Sequence, residues 1–215
     1  MVDIEKIEKR TVQSFYDDGL FEIALGFVFV LLGGYLFVST ALPKGSALAG
    51  IMGFALIGVF FLAVFLVNRI LRLLKRRITY PRTGYVAFKK KPVSPRKRLR
   101  VGLFGGFMGA LFAILLGLAP SLGNLLPALN GFLFAMIAFK IANRAGVARF
   151  FMLASLSAVI GFGLTAAGIG GARGISLTYG LIGGSLILSG LTALVAYLRR
   201  NPRPAPDGLE GPDAR

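Results

Sequence analysis

The chain has no cysteine and no histidine among its 215 residues. Without cysteine there is no disulfide framework and no thiol chemistry, so the sequence gives no sign of its redox compartment. Without histidine the usual general base, proton shuttle and metal ligand are gone together. Acidic residues are also scarce: nine in all, and apart from Glu22 they lie in the first 18 positions or the last nine. No catalytic constellation, metal-ligand spacing or phosphate-binding loop can be assembled from what is left. The expectation is therefore a protein that is not an enzyme and holds neither cofactor nor metal.

Charge of either sign is sparse, at 16% of residues against 55% hydrophobic, where soluble domains carry about 25% charge. Its spacing is more telling than its amount. Uncharged stretches of 21, 24, 39, 23 and 25 residues follow Glu22, Lys44, Arg100, Arg149 and Arg173. About 20 apolar residues carry a helix across the hydrocarbon core. Four stretches fit one crossing each. The 39-residue stretch fits two, divided by the turn-forming run Pro120-Ser121-Leu122-Gly123-Asn124. The apolar runs are continuous rather than alternating, which excludes a transmembrane barrel. The fold class expected is all-α: a polytopic integral membrane protein, a compact bundle of six transmembrane helices. The spans predicted are about 20–40, 46–70, 101–119, 125–143, 150–171 and 175–198.

Lys and Arg alone orient this bundle. Assigned to alternate sides, they number 23 and 2, and basic flanks resist translocation. Both termini are therefore expected in the cytoplasm, with the protein in a prokaryotic inner membrane. The first ten residues mix acids and bases, so no cleavable signal peptide is expected. The net charge of +16 lies on one face of a membrane protein, with no recognition module beside it, so nucleic acid is not an expected partner.

Residues 1–19 form a cytoplasmic lead-in. Ile4, Ile7, Val12, Phe15 and Tyr16 have a rough helical spacing that suits a helix lying on the leaflet. Asp17, Asp18 and Gly19 mark the start of the first crossing, where the helix dipole and unpaired amides favour carboxylates. Glu22 follows in the first turn. It is either a coupling carboxylate or a residue that faces water and the dipole; its position favours the second. Residues 201–215, rich in Pro, Gly and Asp, read as a disordered cytoplasmic tail.

The basic cytoplasmic loop, 71–100, is the most individual stretch. Lys75, Arg76 and Arg77 precede Ile78-Thr79-Tyr80-Pro81-Arg82-Thr83-Gly84-Tyr85, in which Pro81 and Gly84 bracket a tight turn with β-favouring residues on each side. A short hairpin on the membrane surface is expected. Tyr80 and Tyr85 would sit at headgroup depth while Lys75, Arg76, Arg77, Arg82, Lys89, Lys90 and Lys91 meet anionic phospholipid headgroups or a membrane protein partner. The alternative is a plain topology anchor.

Inside the membrane, Gly102/Gly106, Gly105/Gly109 and Gly180/Gly184 are pairs four apart. They suit close helix packing within the chain, or a homo-oligomer. Gly102-Leu103-Phe104-Gly105-Gly106 resembles Gly180-Leu181-Ile182-Gly183-Gly184, and Asp18-Gly19-Leu20-Phe21 fainter still resembles Asn130-Gly131-Phe132-Leu133. A 3+3 inverted repeat is one reading of these matches, and chance is the other. Asn130, between Pro127 and Gly131, marks a candidate helix break. With Ser155, Thr165, Thr178 and Ser185 it could line a solute cavity; equally, each polar group could bond within the bundle. Two functions result: a small transporter or permease subunit for a neutral solute or lipid, and a non-transporting scaffold or accessory subunit.

Overall fold

The structure is a computed structural model, and it describes residues 13, 15–43, 47–79, 94–96, 99, 103 and 120–202. Among these residues all regular structure is helical. We number the α-helices α1 (Leu20–Ala41), α2 (Ala47–Leu74), α3 (Leu126–Ala145), α4 (Ala148–Ala166) and α5 (Gly171–Arg200). Among the described residues, four helical stretches are long and apolar enough to cross a membrane: Leu20–Ala41, Ser121–Ala145, Ala148–Ala166 and Gly171–Arg200. The segment predicted as the third crossing lies outside the described residues, save for Leu103, and so do Tyr80 to Val93 of the expected hairpin.

The surface of the bundle is apolar. Phe27, Leu31, Phe37 and Val38 of α1, Met152 and Val159 of α4 and Leu188 of α5 are all exposed. Water would penalise such a face by about 25 cal/mol for each Å²; hydrocarbon does not, so these side chains fit a lipid surround.

What holds the helices together is close backbone approach. Among the described residues, α1 and α5 form the most extensive pair, and α3 with α4 the next. Along α1 the contact positions are Gly19, Gly26 and Gly33, seven apart; along α5 they are Gly190, Gly183 and Ser176, also seven apart and running the other way. A methyl group on Gly26 would lie 2.6 Å from the Gly183 carbonyl oxygen, and one on Gly33 2.8 Å from the Ser176 carbonyl oxygen. The Ser176 hydroxyl closes the last rung by donating to the Gly33 carbonyl at 2.8 Å. A seven-residue repeat keeps one face of each helix on its partner when the two wrap with a left-handed supercoil. Small residues at those positions supply the attraction that lipid withholds. Gly131 of α3 and Gly161 of α4 make a similar contact. Of the pair four apart, Gly180 gives only its backbone to the seam, its nitrogen 2.8 Å from a methyl group placed on Gly33, and a side chain on Gly180 or on Gly184 would meet nothing within 4 Å.

Two caps match the sequence and one expected break does not occur. Asp18 accepts from the Leu20 amide at 3.2 Å, and Gly19 turns the chain into α1 with φ of 66°, a conformation that glycine adopts without penalty. The run Pro120–Leu125 forms a 3₁₀ helix leading into α3. Pro127 then sits in the first turn of α3, where its missing amide costs nothing. The helix continues unbroken past Asn130 and Gly131, because Gly131 serves the α4 contact rather than a kink. The fifth predicted span ends earlier than expected, at Ala166, where Gly168 takes φ of 71°. Lys75–Thr79, expected to begin a β-like segment, extends α2 as a π-helix.

An aromatic triangle joins α1, α3 and α5 at mid-bundle. Phe29 lies 4.5 Å from Phe134 and stacks on Tyr179 at 5.8 Å, ring centre to ring centre. The cleft beside it, among Phe21, Leu25, Phe29, Phe134, Phe150 and Ile182, holds about 40 Å³.

Candidate functional site: a charged junction at the basic end

Asp18 and Glu22 are four residues apart, so they share one face of the chain entering α1. That face points into the bundle: both residues have 0% of their surface exposed. A buried carboxylate needs a cation and filled hydrogen-bonding sites, and each finds them on a different helix.

Glu22 is held by α4 and α5. Arg149, the second residue of α4, donates its Nε to Oε1 at 2.6 Å, and the Ser189 hydroxyl donates to Oε2 at 2.6 Å. A terminal nitrogen of the same guanidinium donates to the Tyr16 carbonyl. Asp18 is held by the end of α2. The Lys75 ammonium lies 3.2 Å from Oδ2, the Thr79 hydroxyl donates to that oxygen at 2.9 Å, and Oδ1 takes the Leu20 amide. Lys75 also donates to the Phe15 carbonyl at 2.6 Å and sits 3.7 Å from the centre of the Phe15 ring, a cation–π contact. Lys75 and Thr79, at the two ends of the π-helical turn, are four residues apart and lie on one side of it, and both are buried. Burial pushes the Lys75 amine below the usual lysine range, and Asp18 opposes that shift.

Aromatic rings pack around the junction. Tyr16 meets Phe15, Phe21 and Phe150 edge to face at 5.2, 5.3 and 5.3 Å. Burial raises the Tyr16 hydroxyl above its ordinary pKa, with Arg144 acting against it. The result is a knot of four elements, the lead-in with α1, the end of α2, α4 and α5, drawn together by two charge pairs. A recess of about 450 Å³ opens beside it, with Gln13, Asp17, Thr79, Arg149, Arg200 and Asn201 among its lining. Asp17 is exposed on the rim, yet the low-dielectric wall it rests on raises its carboxyl above the usual range; Arg149 and Arg200 pull it down and Asp18 pushes it up.

The sequence-predicted residues do not assemble into one cavity. Glu22, expected to face water, is fully buried, because α5 covers its flank and Arg149 its end. Lys75, expected at the headgroups, is buried against Asp18, whereas Arg76 and Arg77 are exposed. Tyr80, Arg82, Tyr85, Lys89, Lys90 and Lys91 lie outside the described residues. Asn130 bonds the Leu126 carbonyl of its own helix at 2.9 Å and accepts from the Tyr179 hydroxyl at 3.2 Å. Thr165 accepts from the Ala128 amide at 3.1 Å. Thr178 and Ser185 each donate to a carbonyl of their own helix at 2.8 Å, and Ser155 is exposed. Among the described residues there is no group of three or more acidic side chains that could hold a metal ion.

Sequence reasoning missed Asp18, Arg149 and Ser189 as partners. One signal was present: two carboxylates one turn apart, at the mouth of an apolar helix, require two cations from elsewhere. Comparison of the chain with family models, curated proteins and solved structures finds no match.

Proposed function

We propose that this protein is a non-transporting, multi-pass membrane protein, a scaffold or accessory subunit that presents its basic end to a membrane protein partner. In this reading the chain crosses the membrane six times, with that end and both termini in the cytoplasm, as the 23-to-2 division of Lys and Arg favours. The observation that carries it is the interlocking of the first and last helices over three backbone rungs, closed by two buried ion pairs at one end. Such a body suits a fixed platform more than a bundle that must open and close. Asn130, Thr165, Thr178 and Ser185 support the same reading, since they are engaged in bonds within and between helices.

Transport of a neutral solute or lipid is the competing function. One feature favours it: Asp18–Lys75 and Glu22–Arg149 lie where a gate on the basic side would lie. The purified protein should be reconstituted into sealed vesicles and assayed for flux of small neutral solutes and for lipid scrambling. In parallel, residues 80–98 should be replaced by a neutral linker in the native host, leaving Lys75 and Thr79 in place. The scaffold reading expects vesicles no leakier than protein-free ones and a crosslinked membrane protein that is lost with the loop. Solute or lipid movement above the protein-free rate overturns it.

A further inference from the structure

The recess at the basic end does not stand alone. Arg149, on its wall, also lines an apolar groove of about 380 Å³ between α4 and α5, bordered by Met152, Leu156, Leu188 and Thr192. A third hollow along the face of α5 shares Thr192 with the groove and Ala196 and Arg200 with the recess. A polar chamber thus continues into an apolar trough that runs down the outside of the bundle.

The depth of this arrangement matches a lipid. α1 has 22 residues, about 33 Å at 1.5 Å per residue, close to the roughly 30 Å of the hydrocarbon core. Its start at Leu20 therefore marks the boundary of the bilayer, and Asp17, just before it, lies at headgroup level. Gly190 of α5 lies opposite Gly19, so the part of the groove lined by Ser185, Leu188 and Leu156 starts at that boundary and runs inward, while Arg200, ten residues or about 15 Å further along α5, lies on the headgroup side. Met152 and Leu188 are 75% and 67% exposed, so the trough is open to lipid along its side.

The charges choose among lipids. Arg149 commits two of its N–H groups to Glu22 and Tyr16, and a guanidinium has five. Arg200 is exposed and lines the same chamber. Asp17 lines the same chamber as both guanidiniums. Two cations suit a phosphodiester. The carboxylate that shares the chamber repels a second negative charge but offers an acceptor to an ammonium. A headgroup with a phosphate and a primary amine satisfies all three residues.

We propose that the basic end holds one aminophospholipid of the phosphatidylethanolamine type, its phosphate between Arg149 and Arg200, its ammonium at Asp17 and one acyl chain in the α4–α5 groove. The lipid is a resident ligand, and the proposal stands whether the protein is a scaffold or a transporter.

The test is native mass spectrometry of the delipidated protein, titrated in mixed micelles with phosphatidylethanolamine, phosphatidylcholine or phosphatidylglycerol of identical chains. The expected result is a single bound phosphatidylethanolamine, held more tightly than the other two. Arg200→Gln should weaken it about fivefold, the loss of one basic contact to phosphate at about 1 kcal/mol. Asp17→Asn should remove the preference over phosphatidylglycerol. Both positions are exposed, and thermal unfolding of each variant confirms an intact fold. Equal retention of the three lipids by the parent, or unchanged retention of phosphatidylethanolamine in both intact variants, overturns the proposal.

Discussion

Removal of Arg149 is the sharpest single perturbation. In Arg149→Met, Glu22 stays fully buried with only the Ser189 hydroxyl for company, and the Tyr16 carbonyl loses its donor. Orphaning one member of a buried pair costs about 3–5 kcal/mol. This variant belongs at the upper end, because Glu22 has none of its surface exposed. Glu22→Met leaves the opposite orphan. Arg149 has 24% of its side chain exposed, so it can recruit water, and the expected cost is about 3 kcal/mol. If the two residues acted independently, the double variant would lose about 8 kcal/mol. Exchanging the whole pair for packed apolar side chains is instead near neutral in other proteins, so Glu22→Met/Arg149→Met should lose under about 3 kcal/mol. Reversible denaturant unfolding in a fixed detergent measures all four corners of the cycle. At about 2–4 °C for each kcal/mol in chains of this size, Arg149→Met should melt at least about 8 °C below the parent. On the proposed topology, loss of one of 23 basic residues on the cytoplasmic side should leave membrane orientation unchanged. Costs that add to within about 0.5 kcal/mol would mean that the two side chains do not feel each other, and the junction as described would be refuted.

The glycine rungs make a second prediction: Gly26→Ala should destabilise by about 1–3 kcal/mol through overpacking against α5, while Gly34→Ala, which meets nothing within 4 Å, should be neutral or gain up to about 1 kcal/mol. Equal effects in the same unfolding assay would show that α1 and α5 do not meet along that face. Lys75 should give an alkaline signature. Its folded-state pKa is lowered from 10.5, so between that lowered value and 10.5 the unfolded chain binds more protons and stability from this group rises with pH. The melting temperature of the parent should therefore improve relative to Lys75→Met as pH climbs through this window; a difference that stays flat refutes the burial of the amine. Tyr179→Phe should cost about 0.5–1.5 kcal/mol by freeing Asn130 Oδ1, and Asn130→Ala on top of it should add little; full additivity would separate the two groups.

Those helices that carry uninterrupted apolar runs were legible from composition alone. The predicted first crossing, 20–40, and the helix Leu20–Ala41 differ by a single residue, because Asp17, Asp18 and Gly19 close one end with chemistry that acts locally. The charged junction was not legible. Glu22 meets Arg149 across 127 positions and Asp18 meets Lys75 across 57, and no local pattern says which helix ends converge. The packing of α1 on α5 was half legible. Glycine abundance pointed to close approach, but attention to pairs four apart hid the spacing of seven, which becomes visible only when Gly19, Gly26 and Gly33 are set against Ser176, Gly183 and Gly190 in reverse.

The junction also carries a schedule. Ribosomes add about 5–20 residues per second, so Arg149 emerges about 6 to 25 s after the Glu22 it neutralises, and the Gly190 rung later still. For that interval a carboxylate waits at the mouth of the first helix with its cation not yet synthesised. The first helix can be threaded early but locked only when the last one arrives. Interruption of synthesis before α5 should therefore leave an inserted but unclosed chain, which makes nascent truncations of this protein natural substrates for membrane quality control.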